Sequence, residues 1–205
     1  MTTLQSIIEF LGTCAFAISG IRWAIYKKFD WFGGYVVGLA AAIGGGTLRD
    51  VMLGVTPFWM TNSIYLICTA AALVMSIIFK KLVLQFDNTW FMFDTLGLAL
   101  FTVAGIQKTL YAGLPIWVAI TMGCITGAAG GVIRDVLINE IPLIFRKEIY
   151  AVACILGGIV YHLCYISGLG AELTALFCFI TVVVVRFLAV RFHISLPRLH
   201  ASDEN

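Results

Sequence analysis

Arg49 and Asp50 close the motif Gly45-Gly46-x-x-Arg49-Asp50, and the pattern returns as Gly130-Gly131-x-x-Arg134-Asp135. Both copies interrupt stretches otherwise apolar enough to span a bilayer. An ionised side chain at bilayer depth costs from about 3 to more than ~10 kcal/mol, so it must be paired or must line a wet cavity. Four such charges in two matched pairs point to ion chemistry. The acids suit a cation and the bases an anion.

The glycines suggest how a path is made. Gly44, Gly45 and Gly46 in one copy, and Gly130 and Gly131 in the other, combine weak helix propensity with access to unusual backbone angles, which predicts a bend or an unwound turn. A helix interrupted at depth exposes carbonyl oxygens at the end of its first half and amide groups at the start of its second. Asp50 and Asp135 then fall in the first turn after their glycines, where the helix dipole favours negative charge. Arg49 and Arg134 would repel cations from such a path. Pairing across the repeats, Arg49 with Asp135 and Arg134 with Asp50, is one resolution; a salt bridge that only locks the fold is another. The glycines also have a packing reading, because Gly38-x3-Ala42-x3-Gly46 and Gly123-x3-Gly127-x3-Gly131 are ladders of small residues that let helices approach. Thr47 and Thr126, with Ser19, Thr102 and Thr121, offer neutral oxygens to a pathway, although such hydroxyls often bond a carbonyl of their own helix. Glu9 and Asp94, near the ends of the first and fourth helices, are expected at headgroup level.

The elements that must position these residues are membrane helices. The chain of 205 residues is 61% hydrophobic and only 12% charged, against about 25% charged in soluble domains. Spans need about 20 apolar residues each, and seven segments fit: 4–26, 33–55, 58–79, 90–110, 114–138, 149–168 and 171–192. The fold class is therefore an all-α integral membrane protein in one transmembrane domain. Ala15-Phe16-Ala17 mimics a leader cleavage site, but no Lys or Arg precedes it and the apolar run continues to Trp23, so the segment reads as a mature helix.

A shift of 85 positions superimposes the two motifs and, without a gap, their flanks. Leu11/Leu96, Gly12/Gly97, Phe16/Phe101, Gly20/Gly105, Gly38/Gly123 and Pro57/Pro142 match, and Glu9/Asp94 pairs two acids. Each copy holds three spans, an odd number, so the second enters the membrane upside down. The expected organisation is one repeat over about 4–83, an inverted second over about 89–168, an extra helix at 171–192 and a short tail at 193–205. Lys27, Lys28, Lys80, Lys81, Arg146, Lys147, Arg191 and Arg198 occupy alternate connections and Lys108 alone the other side, which places the amino terminus outside and the carboxyl terminus in the cytoplasm.

Other chemistries find little footing. The formal net charge of +2 and scattered Lys and Arg suit no nucleic acid. The six cysteines stand singly in apolar segments and read as small hydrophobes, with no metal-ligand spacing. His193 and His200 fall in the tail; His162, inside a span, has no acid or nucleophile at a helical spacing. No phosphate loop, nucleophile elbow or zinc-protease motif occurs, so the chain is not expected to be an enzyme or to carry a cofactor.

The doubled motif, set in two three-helix copies with a seventh helix, resembles the prokaryotic branch of the trimeric intracellular cation (TRIC) channel family, which includes bacterial inner-membrane proteins whose domain bears a glycine-transporter label. The resemblance covers residues 4–192. It implies a homotrimer in the bacterial inner membrane. Each protomer would hold a pore for monovalent cations such as potassium, shaped by glycine kinks in the second and fifth helices. Arg49, Asp50, Arg134 and Asp135 become pore or gate candidates on that resemblance, with Thr47 and Thr126 beside them. Ala129 stands where the first copy has Gly44, so the fifth helix is expected to bend less sharply. A secondary transporter of glycine or another small amino acid is the alternative, since the half-helix amides and the arginines could cradle a carboxylate. A membrane scaffold without transport is a third class.

Overall fold

The computed structural model describes residues 3–79, 89–145 and 149–194, and every regular element among them is helical. In chain order these are α1 (Thr3–Tyr26), α2 (Trp31–Met52), α3 (Phe58–Thr61), α4 (Ile64–Ile78), α5 (Thr89–Tyr111), α6 (Ile116–Leu137), a 3-10 turn (Leu143–Phe145), α7 (Ala151–Ile166) and α8 (Ala171–Arg191). Lys80, Lys81, Arg146, Lys147, Arg198 and His200, used above to read orientation and the tail, lie outside the described residues, as does the expected repeat end near residue 83.

Local chemistry sets the ends of the two motif helices. Asp30 caps α2, its Oδ1 accepting from the Gly33 amide at 2.7 Å, and Pro115 precedes α6, where a missing N–H costs nothing. Both helices stop with the same reverse pattern. The Val55 amide donates back to the Asp50 carbonyl and the Glu140 amide to the Asp135 carbonyl. The residue before each, Gly54 (φ 68°) and Asn139 (φ 56°), takes the left-handed conformation that closes helices of this kind.

Among the described residues, five helices are long and apolar enough to cross a membrane: α1, α2, α5, α6 and α8. The segments expected at 58–79 and 149–168 are shorter. The first is divided at Asn62 and Ser63 into α3 and α4, and α4 and α7 have 15 and 16 residues. At 1.5 Å per residue each reaches roughly 22–24 Å, less than the ~30 Å hydrocarbon core.

The centre of the molecule is the α1–α5 pair. The two helices pack together and against α2 and α6, which also pack on each other; α8 lies against α5 and α7. Phe16 stacks on Phe101 at 5.7 Å between centroids, and each ring fills the space over the other helix's glycine, Gly97 and Gly12. Cys14 of α1 faces Cys68 of α4, their Cα atoms 6.2 Å apart. The other four cysteines are free. The backbone of α2 and α6 stays α-helical through the glycines, so the unwound turn considered from sequence is not found.

Candidate functional site

Gly45 and Gly130 stand where α2 crosses α6. A Cβ on Gly45 would run into the carbonyl oxygen of Thr126, and one on Gly130 into that of Ala41. Backbone approach this close admits only glycine. Gly44 is different: an added Cβ would meet only the far end of Ile133, at 2.7 Å. Gly46 is covered by the ring of Phe58 and Gly131 by the hydroxyl of Tyr150.

One turn further on, each helix presents its arginine and aspartate to a set of partners. Arg49 donates from Nε to Asp50 Oδ1 at 2.7 Å, and its Nη2 lies 2.7 Å from Glu9 Oε1 on α1. Lys108 of α5 brings Nζ within 2.8 Å of the same Asp50 Oδ1. The second carboxylate oxygen, Oδ2, accepts from the Phe58 amide at 2.8 Å, and the Phe58 ring sits 5.7 Å from the Arg49 guanidinium. The other copy follows the same plan. Arg134 Nε donates to Asp135 Oδ1 at 2.9 Å, Nη1 reaches Asp94 Oδ1 of α5 at 2.6 Å and Ser19 Oγ of α1 at 2.7 Å, and Asp135 Oδ2 accepts from the Leu143 amide at 3.0 Å. Here the fourth charge comes from α8. Arg186 Nη2 is 3.7 Å from Asp94 Oδ2, its guanidinium 4.9 Å from the Phe91 ring centroid and 4.8 Å from that of Tyr150.

Two neutral quartets result. Glu9, Arg49, Asp50 and Lys108 form one; Asp94, Arg134, Asp135 and Arg186 form the other; each has two acids and two bases. Formal charges cancel in both, which is how carboxylates and guanidinium groups with no solvent exposure are retained in an apolar medium. The quartets differ in access. Lys108 keeps 16% of its side chain exposed, whereas Arg186 has none.

This arrangement corrects one expectation. The cross-repeat pairs Arg49–Asp135 and Arg134–Asp50 are replaced by pairs within each motif, because Nε of each arginine reaches the neighbouring carboxylate and the rest of the fork reaches α1 or α5. Glu9 and Asp94 are both fully buried within the protein, where they are the counter-charges of the arginines. Thr47 donates to the Ile43 carbonyl at 2.7 Å and accepts from Trp59 Nε1 at 3.0 Å; Thr126 donates to Met122 at 2.6 Å. Both hydroxyls are thus committed to their own helices. Lys108 and Arg186 carried no sequence signal as site residues. A basic residue inside an otherwise apolar helix was the only clue to either.

The comparisons with known proteins agree over nearly the whole length. A family model described as glycine transporter matches residues 6–81 and 91–165, two segments that each contain one motif. A UPF0126 membrane protein of Vibrio cholerae is 40% identical over 96% of this chain and 83% of its own. The UPF0126 inner membrane protein YadS of Escherichia coli is 38% identical over 97% of both. Among solved structures, the TRIC trimeric intracellular cation channel orthologue from Rhodobacter sphaeroides superimposes with a TM-score of 0.87 at 30% identity, covering 94% of this chain and all of its own. With the motif, the glycine crossing and this likeness together, the chain belongs to the prokaryotic TRIC family of membrane proteins, the family that carries the glycine-transporter label.

Proposed function

We propose that the protein is a monovalent cation channel permeable to potassium, working as a homotrimer with one path per protomer between α2 and α6. The observation that carries this reading is the pairing of both motif arginines with buried carboxylates, in a fold similar to that of TRIC cation channels. A free arginine in the path would set a barrier to cations; one already neutralised by Glu9 or Asp94 does not. Asp50 then stands at the partly accessible end of its cluster with Lys108 as its removable partner. Displacement of Lys108 leaves Asp50 Oδ1 shared with Arg49 Nε alone and opens the place of the ammonium to a hydrated cation.

The same reading includes two inverted repeats, residues 4–83 and 89–168, with the 171–192 helix appended, the amino terminus outside and the carboxyl terminus in the cytoplasm. Its support is the recurrence of individual contacts at the 85-residue offset: Asp50 with the Phe58 amide and Asp135 with the Leu143 amide, Arg49 with Glu9 and Arg134 with Asp94. Secondary transport of glycine is the second reading, favoured by the family label. It needs cationic groups open to a substrate carboxylate, and both motif arginines already hold two carboxylates each.

Planar bilayers with a potassium chloride gradient, run beside glycine uptake into liposomes, separate the two. Discrete currents reversing near the potassium potential are expected. Saturable glycine uptake without currents would overturn the channel.

A further inference from the structure

A cavity lies where the end of α5, the start of α6, the end of α7 and the start of α8 meet. It encloses about 480 Å³, within the size range of small-ligand sites. Its polar walls are Gln107 and Tyr111 of α5, Tyr161, His162 and Tyr165 of α7, and Thr174 of α8. Three tyrosines around one space are an unusual concentration of ring surface. Tyr161 is buried, while Tyr111 and Tyr165 are exposed. Gln107 and Tyr161 hydrogen-bond to each other, and Nδ1 of His162 is shielded from solvent with no hydrogen-bond partner.

Two features restrict what would bind. None of the lining residues carries a formal charge, so nothing there selects an anion, whereas aromatic rings attract a cation through their quadrupole without needing a counter-charge. Position restricts it further: the cavity is bounded by Tyr111 at the end of α5, Ile116 at the start of α6 and Ala171 at the start of α8. That is the level at which membrane helices meet the headgroups and tyrosine gathers. Leu110, Ile116 and Leu169 supply an apolar floor.

We propose that this cavity binds an ammonium group, with the tyrosine rings around the charge and Gln107, His162 and Thr174 bonding the polar remainder of the ligand. The chemistry is shared by ethanolamine and choline phospholipids and by soluble amines. It is independent of what passes between α2 and α6. Tyr111 and Tyr165 are the informative positions, because both are exposed and their replacement leaves the core intact.

The experiment is native mass spectrometry of the whole protein released from vesicles holding equal amounts of phosphatidylethanolamine and phosphatidylglycerol, repeated with choline and with ethanolamine in solution. Retention of the ammonium lipid over phosphatidylglycerol is expected. It should fall by about two- to fivefold for each ring removed in Tyr111→Leu and Tyr165→Leu, the range of an exposed cation–π contact. Displacement of the lipid by millimolar choline would identify a soluble amine as an equal occupant. Equal retention of both lipids, or a preference unchanged in the double variant, would reduce the tyrosines to an ordinary interfacial belt and overturn the site. So would a trimer structure with a neighbouring protomer's side chain seated in the cavity.

Discussion

Asp94 holds two guanidinium groups at once, Arg134 and Arg186, in a place with no solvent. Asp94→Asn leaves that quartet with a net positive charge and no water to absorb it. A loss of about 3–5 kcal/mol is expected, read as a shift of the unfolding midpoint in mixed detergent micelles. Lys108→Met should behave differently. Asp50 retains Arg49 and the Phe58 amide, and the lysine is partly exposed already, so stability changes little. The current should instead rise several-fold at fixed driving force, since one unit charge at about 4 Å acts with ~1 kcal/mol even in bulk water. Single-channel recording of the variant tests this, and an unchanged current would remove Lys108 from the path. Sequence exposed the motif charges because four charges in apolar segments stand out. The role of Glu9 and Asp94 as counter-charges was not legible, because hydropathy along a helix does not report which face a lone acid occupies.

At the scale of elements, the two glycine-rich helices were recognisable at once, but their purpose was read too broadly. Of the three consecutive glycines Gly44, Gly45 and Gly46 in α2, only Gly45 faces a backbone carbonyl of α6; Gly44 faces a flexible isoleucine and Gly46 an aromatic ring. Gly45→Ala should therefore cost about 1–3 kcal/mol by overpacking, with Gly130→Ala close to it, while Gly44→Ala is expected to cost less because Ile133 can turn aside. Parallel unfolding titrations check the order. The second copy already carries this outcome, since Ala129 occupies the position equivalent to Gly44. For α8, the sequence showed only an apolar span. Its use is visible in Arg186, held between two rings against Asp94. Arg186→Lys keeps the charge but loses the planar stacking, for an expected cost of about 1–3 kcal/mol by the same titration.

For the whole molecule, the repeat was the most legible property. An 85-residue offset needs no knowledge of packing to detect, and it reappears in capping bonds and left-handed residues as well as in side chains. The length of the third helix in each copy was less legible, because hydropathy does not mark the break at Asn62 and Ser63 between α3 and α4, nor the non-helical Ile149 and Tyr150 before α7. Orientation is open to a direct test: cysteines introduced at Ser63, between α3 and α4, and at Phe29, between α1 and α2, should differ in labelling by an impermeant thiol reagent on intact cells. Reaction at Ser63→Cys and protection at Phe29→Cys are expected; the reverse would invert the assignment. Crosslinking in membranes should stop at three protomers.

The contact between Gly45 and Gly130 has a mechanical consequence. Each lies about two-thirds of the way along a 22-residue helix, so the crossing acts as a fulcrum with one arm of ~21 Å and one of ~10 Å. A scissoring of roughly 10° would carry the long ends by ~4 Å and the short ends by ~2 Å. In the inverted arrangement proposed above, the long arm of α2 would share a membrane face with the short arm of α6, and the reverse would hold opposite. If ions pass between α2 and α6 as proposed, a single small rotation would widen both mouths of that path by equal amounts and leave neither face of the membrane a gate of its own.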